Sequence, residues 1–440
     1  LAKCAADTYS KNMEKLQFGT DGIRGIYGQE ITDESAYRLG KALGGKALIA
    51  GDTRASTPAL LSALAGGIED AGGCATYLGV ATTPALYYTL LASDCNRAVM
   101  VTASHNPPSH NGLKVFDRTG KIGEEERRRL LSAMDAPSRL SRRTLTSDGT
   151  LLRRYEEFIA RSCGRLDGVR AVVDFANGAG GVFCDLLASL GADVTPLNAL
   201  GQGTKINVGC GAIHPETLRA ETMRLGADLG FALDGDGDRI VAVTKSGDVL
   251  DGDAILYLFA RKMKKEGRLK RNKVALTIMT NSGVLKSLSA LGVTAVSCSV
   301  GDAAVTEAMR SEGLNLGGEQ SGHIVLGDLL MTGDALLVGA MLMKMIRDGE
   351  KAERPAELTV YPQALLNVPV PDRSIAYSEQ MQSFAARKKQ ELGAGRVLVR
   401  ASGTENVVRI MAECPDATLA ELTVREIKGK LLEMIGQKQN

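Results

Sequence analysis

Three times along this chain, short apolar runs alternate with helix-length segments and end in a polar loop rich in glycine. The first pass runs KALIAGDTR (46–54), a helical stretch at 57–73, CATYLGV (74–80) and RAVMVTASHN (97–106). The second runs VRAVVDFANGAGG (169–181), a helical stretch VFCDLLASLG (182–191), ADVTPLN (192–198) and ADLGFALDGDGDR (227–239). The third runs NKVALTIMTNSG (272–283), VLKSLSALG (284–292), VTAVSCSVGD (293–302) and LNLGGEQSGH (314–323). Continuous apolar strands separated by helices predict parallel pairing with both sheet faces covered. Ligands of such sheets bind beyond the carboxyl ends of the strands. The loops TASHN, DGDGD and GGEQSGH all fall there, so three related α/β domains are expected to pool their loops. From about residue 355 the pattern changes. RVLVRASGTENVVRIMAEC (396–414) reads as two strands around a glycine-containing loop, and TLAELTVREIKGKLLEMIG (418–436) as a closing amphipathic helix. The expectation is an α/β protein of four domains around a central cleft. Three have mixed, mostly parallel sheets (1–150, 151–250 and 251–355), and a smaller α+β domain follows at 356–440.

Composition removes several classes of function. Lys+Arg number 53 against 51 Asp+Glu, a net charge of +2, so no global field draws nucleic acid or an anionic membrane. No apolar run approaches the roughly 18–20 residues that span a bilayer, and the opening LAKCAADTYSKN has no signal-peptide apolar region. Eight cysteines form no C-x-x-C pair, and four histidines leave little for a zinc site. Reduced core thiols of a cytoplasmic protein are expected. The 50 glycines, far above the usual ~7%, are neither periodic nor gathered into linkers.

In DGDGDR, Asp234, Asp236 and Asp238 alternate with glycines that let the backbone turn tightly. Three carboxylates so close repel unless a cation sits among them, and hard oxygen ligands suit Mg²⁺ or Ca²⁺. An EF-hand is excluded, since its sixth position is Arg239 and its twelfth Lys245. Mg²⁺ is favoured because few protein ligands are offered. Ser104 follows an apolar strand and precedes a loop stiffened by Pro107 and Pro108, with His105, His110 and Lys114 nearby to donate to a phosphate or move a proton. FGTDGIRG (18–25) places Arg24 on a glycine-rich loop suited to an anion. GGEQSGH (317–323) offers Glu319, Ser321 and His323 to hydroxyl groups. RASGTENVVR (400–409) combines Arg400, Ser402, Gly403, Thr404 and Arg409 as a phosphate cradle. No G-x-x-x-x-G-K-[ST] loop is present, so a serine acceptor would store the phosphoryl group on the protein itself.

These five motifs, in this order and over nearly the whole chain, resemble those of the α-D-phosphohexomutase superfamily. The GEQSGH loop most closely resembles that of bacterial-type phosphoglucosamine mutases; phosphomannomutases and phosphoglucomutases differ at the position of Gln320. The resemblance implies a phosphorylated Ser104 that joins Asp234, Asp236 and Asp238 around Mg²⁺. It implies base and acid positions at Arg24 and Lys114, a phosphate-loop contact at His105, and support of the phosphoserine region by Arg239. Glu319, Ser321 and His323 would hold the sugar. Arg400, Ser402, Gly403, Thr404 and Arg409 would grip the phosphate that is not transferred.

The implied reaction interconverts glucosamine 6-phosphate and glucosamine 1-phosphate for amino-sugar nucleotide (UDP-GlcNAc) synthesis. Glucosamine 1,6-bisphosphate would be the intermediate, and it or glucose 1,6-bisphosphate the primer. The intermediate must reorient, and a hinge motion of the last domain is expected. Partners would be a small hexosamine phosphate, no nucleic acid and no membrane, in a monomer or homodimer. The alternative is phosphomannomutase or phosphoglucomutase activity of the same superfamily. A phosphatase using Asp234 or Asp236 as nucleophile, and a paralogue that binds sugar phosphate without turnover, are more distant rivals. Three residues depart from the family pattern. Ala401 and Asn406 stand where prolines are usual, and Ala303 where phosphoglucosamine mutases usually carry arginine.

Overall fold

A computed structural model describes residues 16–136, 139–147, 149–402 and 406–437. The described chain forms two compact units. One runs to Ile278 and resumes over Val296–Arg354; the other joins Met279–Ala295 to the chain from Pro355 onward.

The first unit is α/β, and most of the apolar runs read from the sequence appear as strands. In its seven-stranded sheet, Lys46–Gly51 lies between Cys74–Val80 and Arg97–Val101, parallel to both. His110–Asp117 then pairs antiparallel with Arg97–Val101, and Gly22–Ile26 antiparallel with His110–Asp117. Helices Asp33–Leu43 and Thr57–Asp70 pack their apolar residues, among them Leu39, Leu60 and Leu64, against Ile49 and Val99. Each begins where its sequence dictates. Thr32 and Ser35 form a reciprocal cap on the first, and Pro58 occupies the opening turn of the second. A five-stranded sheet has the order Val249–Leu250, Ile240–Thr244, Leu229–Leu233, Arg170–Asp174, Asp193–Leu197. A four-stranded sheet has the order Thr294–Cys298, Lys273–Thr277, Leu316–Gly318, Ile324–Leu326.

The three sheets share one device. Each has parallel pairing in its interior, and its motif loop turns the chain from a parallel strand into an antiparallel neighbour. TASHNPPS joins Arg97–Val101 to His110–Asp117. The acidic loop joins Leu229–Leu233 to Ile240–Thr244, with Leu233 opposite Ile240. The third loop joins Leu316–Gly318 to Ile324–Leu326, with Gly318 opposite Ile324. Antiparallel pairing is therefore more prominent than strand–helix alternation alone suggests.

One segment departs from its expected form. VFCDLLASLG was expected to be a helix, but a 3₁₀ turn over Ala179–Phe183 precedes a helix of only four residues, Leu186–Ser189. The backbone packs closely where the segment begins: a Cβ on Gly181 would meet the Ala199 carbonyl oxygen at 2.4 Å.

The second unit has a three-stranded antiparallel sheet, Gln363–Pro369, Val407–Glu413 and Arg396–Ala401. Helices Glu379–Leu392 and Ala417–Gln437 bury Met381, Ile427 and Leu431 against Val368 and Ile410 of the sheet. Among the described residues, no helix is long and apolar enough to cross a membrane.

Candidate active site

Ser104 adopts a left-handed backbone conformation, φ 54°, which costs a non-glycine residue about 1–2 kcal/mol. Its N–H donates to Thr102 Oγ1 at 2.9 Å, and its side-chain hydroxyl donates to Asp234 Oδ2 at 2.6 Å. His105 Nδ1 lies 3.3 Å from the same hydroxyl. The serine loop and the acidic loop, far apart in sequence, therefore meet at Oγ.

Asp234, Asp236 and Asp238 are buried, and one carboxylate oxygen of each lies within 4.8 Å of the others. Lys114 reaches in from the strand His110–Asp117, its Nζ 2.5 Å from Asp236 Oδ2 and 3.2 Å from Asp238 Oδ2. Thr83 Oγ1 donates to Asp236 Oδ2 at 2.5 Å, and the Arg239 N–H reaches Asp234 Oδ1 at 3.3 Å. Asp236 Oδ1 and Asp238 Oδ1 are buried with no hydrogen-bond partner. Burial, and then the charges of Asp238 and Asp236, push the Asp234 carboxyl up to about 8. Burial acts the same way on Asp238, but Lys114 and other cations outweigh it and hold that carboxyl below the usual range. Burial opposes a charge on Lys114, while Asp236 and Asp238 raise its pKa beyond the ordinary lysine value. Orphaned carboxylate oxygens, crowded like charges and an all-oxygen donor set fit a hard divalent cation. Among the described residues, Asp238, Asp302 and His323 form a second such grouping that shares Asp238.

The sugar-loop candidates stand beside this cluster. Gly322, with φ 94°, accepts the Ile240 N–H at 3.0 Å, and a Cβ there would meet the Ile240 carbonyl oxygen at 2.1 Å. The third loop is thereby fixed to the strand that leaves the acidic loop. His323 is buried, its Nδ1 4.0 Å from Asp238 Oδ2 and its Nε2 accepting the Gly333 N–H at 3.1 Å. Glu319 accepts the Gly301 N–H at 2.9 Å, and Ser321 is exposed. Arg24, on the strand Gly22–Ile26, lies 3.7 Å from Asp21, which Lys121 ties to Asp302. Arg24 Nε is buried without a partner. Burial, followed by the charges of Arg239 and Arg24, pushes the His105 imidazole down to about 4, so it is neutral near pH 7. Arg239 Nε is 4.0 Å from Asp238 Oδ1. His110, the weaker candidate, has its ring Nδ1 3.3 Å from the Ser109 hydroxyl.

Within the second unit, Arg400 and Arg409 stand directly opposite each other on antiparallel strands. Side chains so paired share a face, and like charges there repel. Burial and then Arg409 lower the Arg400 pKa below the ordinary guanidinium value. Ser402 is buried and its N–H donates to the Val407 carbonyl at 2.9 Å, while Arg373 donates to the Ser402 carbonyl at 3.0 Å. Gly403 and Thr404 lie outside the described residues. Ala401 pairs with Val408 inside the ladder, and the Asn406 carbonyl accepts the Val370 N–H at 2.9 Å.

Sequence reasoning missed Thr83, Thr102, Arg373, Lys121 and Asp302. Thr83, Arg373, Lys121 and Asp302 act on segments distant in the chain, and Thr102 acts on Ser104 through its own hydroxyl. Of these, Thr102 opens the TASHN loop two residues before Ser104, and Asp302 stands next to Ala303.

Sequence profiles of the phosphoglucomutase/phosphomannomutase family match this chain. Its alpha/beta/alpha domain I fits residues 15–139, alpha/beta/alpha domain III residues 251–361 and the C-terminal domain residues 365–430. A phosphoglucosamine mutase of Bacillus subtilis is 39% identical over 434 residues, covering 93% of this chain and 97% of its own length. One from Carboxydothermus hydrogenoformans is 40% identical over 440 residues, covering 94% and 98%. Among solved structures, a phosphoglucomutase/phosphomannomutase family protein from Burkholderia thailandensis superposes with a TM-score of 0.78 at 25% identity, covering 94% of this chain and 96% of the other. Aspergillus fumigatus N-acetylphosphoglucosamine mutase, solved with GlcNAc-6P and magnesium, shares the fold at a TM-score of 0.67 and 19% identity, covering 97% of each chain. With relatives this similar over nearly its whole length, the chain belongs to the phosphoglucomutase/phosphomannomutase family, the α-D-phosphohexomutases.

Proposed function

We propose that this phosphohexomutase interconverts glucosamine 6-phosphate and glucosamine 1-phosphate through a phosphoserine at Ser104 and a 1,6-bisphosphate intermediate, in the cytoplasm. The observation that carries the reading is the 2.6 Å contact of the Ser104 hydroxyl with Asp234 inside a buried three-carboxylate cluster. The sugar is inferred from the relatives named phosphoglucosamine mutase, about 39% identical over most of the chain. We also infer the four domains 1–150, 151–250, 251–355 and 356–440.

Asp234, Asp236, Asp238 and the Ser104 oxygen would hold Mg²⁺, which when bound supplies positive charge against the transferring phosphoryl oxygens. Ser104 carries the phosphoryl group and passes it to a sugar hydroxyl; after the intermediate reorients, its Oγ takes back the other phosphoryl. Lys114, kept as an ammonium by two aspartates, lends positive charge beside the reacting oxygens. Arg24 stands at the same face as a second cation and, with Lys114, occupies the acid and base positions. Neutral His105 contacts the Ser104 oxygen, and Arg239 orients Asp234 and Asp238. Glu319, Ser321 and His323 contact sugar hydroxyls. Arg400, Ser402, Gly403, Thr404 and Arg409 hold the phosphate that is not being transferred, and its charge relieves the Arg400–Arg409 repulsion.

The test is a panel of glucosamine, glucose and mannose phosphates with Mg²⁺ and glucose 1,6-bisphosphate as primer. Glucosamine phosphate is expected to give the highest kcat/KM. A ranking well below glucose or mannose phosphate replaces the amino-sugar reading with phosphoglucomutase or phosphomannomutase activity.

A further inference from the structure

Arg54 lies in the loop after the strand Lys46–Gly51 and is only 1% exposed. All five of its N–H donors are used. Nε donates to Asp52 Oδ2 at 2.9 Å. Nη1 donates to the Pro107 carbonyl at 2.5 Å and the His110 carbonyl at 3.0 Å. Nη2 donates to the Ser104 and Asn106 carbonyls, both at 2.8 Å. One guanidinium thus gathers four carbonyl oxygens of the serine loop, using the planar fork that distinguishes arginine from lysine. Asp52 completes the clamp from below. It accepts from Thr102 Oγ1 at 2.6 Å, and the same Thr102 oxygen accepts the Ser104 N–H.

The Ser104 carbonyl has a second donor, Asn207 Nδ2 at 2.9 Å. Two donors on one carbonyl oppose rotation of the Ser104–His105 peptide plane. In a trans peptide the C=O and N–H point in opposite directions, and no cis peptide is present. The His105 N–H therefore points away from Arg54, and among the described residues it has no hydrogen-bond partner. A flipped peptide would turn a carbonyl dipole the other way and release Ser104 from its left-handed conformation.

We propose that Arg54 is a positioning residue for phosphoryl transfer: it locks the Ser104–His105 peptide so that Oγ stays on Asp234 and the His105 N–H is left to hydrogen-bond the phosphoryl group. The proposal rests on Ser104 being the phosphoryl carrier. Arg54 touches neither substrate nor the reacting atoms; it acts through the loop it holds.

The experiment charges the full chain with glucose 1,6-bisphosphate, verifies one phosphoryl group on Ser104 by intact mass, and compares Arg54→Met, Arg54→Lys and Asn207→Ala. Misplacing the phosphoserine by about 1 Å lowers kcat of Arg54→Met by about 100-fold. KM stays within about threefold, because ground-state binding is untouched. The ³¹P resonance of the phosphoserine shifts in the same variant. Arg54→Lys recovers part of the lost kcat, since an ammonium still reaches some of the carbonyls. An Arg54→Met enzyme that is fully charged and keeps kcat within about threefold of the parent overturns the proposal, as does a loss that falls mainly on KM. If Arg54→Met does not fold, Asn207→Ala decides: about a tenfold fall in kcat at constant KM supports the lock, and an unchanged kcat refutes it. A parent enzyme that accepts no phosphoryl group on Ser104 removes the carrier reading, and this proposal with it.

Discussion

The Ser104 hydroxyl donates to Asp234 at 2.6 Å across 130 residues of sequence. That bond joins the turn of one sheet to the turn of another. A substitution at Ser104 separates a phosphoserine mutase from an aspartate-nucleophile phosphatase. Ser104→Ala is expected to abolish the covalent phosphoryl group and to lower turnover by at least about 10³-fold, as removal of a nucleophile does. Intact mass after incubation with a bisphosphate primer reads the first effect. A phosphoryl group retained by the alanine variant would place the carrier elsewhere.

Lys114 is a buried cation held by two buried carboxylates. Removing one partner of such a group leaves uncompensated charge and costs about 3–5 kcal/mol. Lys114→Met should therefore lower the urea midpoint, and millimolar Mg²⁺ should restore much of the loss by neutralising Asp236 and Asp238. Asp236→Asn should weaken the stabilisation by Mg²⁺ in an otherwise unaltered chain. Melting with and without Mg²⁺ tests both.

The Arg400–Arg409 pair predicts opposite effects on stability and on binding. Arg400→Met removes a cross-strand repulsion, so the ligand-free protein should gain roughly 0.2–1 kcal/mol. The same variant should raise KM for the sugar phosphate by about 10–100-fold, because a charged hydrogen bond to phosphate contributes about 1.5–3 kcal/mol. A variant that is both less stable and unchanged in KM would argue against the cradle.

Asp334 caps the helix Ala335–Arg347, and Tyr155 donates to both of its oxygens at 2.9 Å. Burial pushes its carboxyl up to about 7, against 3.8 for the ordinary group. Between those values the native chain holds a proton that the unfolded chain has released. Stability from this group is therefore full below pH 3.8, falls as pH rises through the window, and levels off above about 7. Asp334→Asn keeps a capping acceptor and should flatten that decline. Urea unfolding at pH 5, 6, 7 and 8 would reveal it, with the parent losing stability relative to the variant up to pH 7 and no further.

Gly322→Ala should cripple turnover while leaving the phosphoserine intact. Its Cβ would lie 2.1 Å from the Ile240 carbonyl oxygen, on a backbone that side chains rarely adopt. The loop carrying Glu319 and His323 must shift, and a misplacement near 1 Å costs about 100-fold in rate. Comparing primer-dependent charging of Ser104 with turnover distinguishes this from general unfolding.

Much of the candidate site is legible in the sequence because its chemistry is local. DGDGDR carries its own argument in alternating carboxylates and glycines, and Ser104 stands at the end of a recognisable apolar strand. The chain's return in antiparallel pairing after each motif loop is less visible, since periodicity gives no strand direction. Arg54, Thr83 and Asn207 are invisible for another reason. Each acts through a hydrogen bond to a loop at least 50 residues away, and that distance is set only by folding. The segment at 182–191 fails differently. Its apolar spacing is helical, but the chain forms a 3₁₀ turn over Ala179–Phe183 and a helix of four residues, Leu186–Ser189, beside a close backbone approach at Gly181.

The face-to-face arginines of the last sheet have a practical corollary. Two guanidiniums on one sheet face attract free inorganic phosphate or sulfate as well as a sugar phosphate. Buffers containing these ions should act as competitive inhibitors, and the apparent sugar preference of the enzyme would then depend on the salt in which it is assayed.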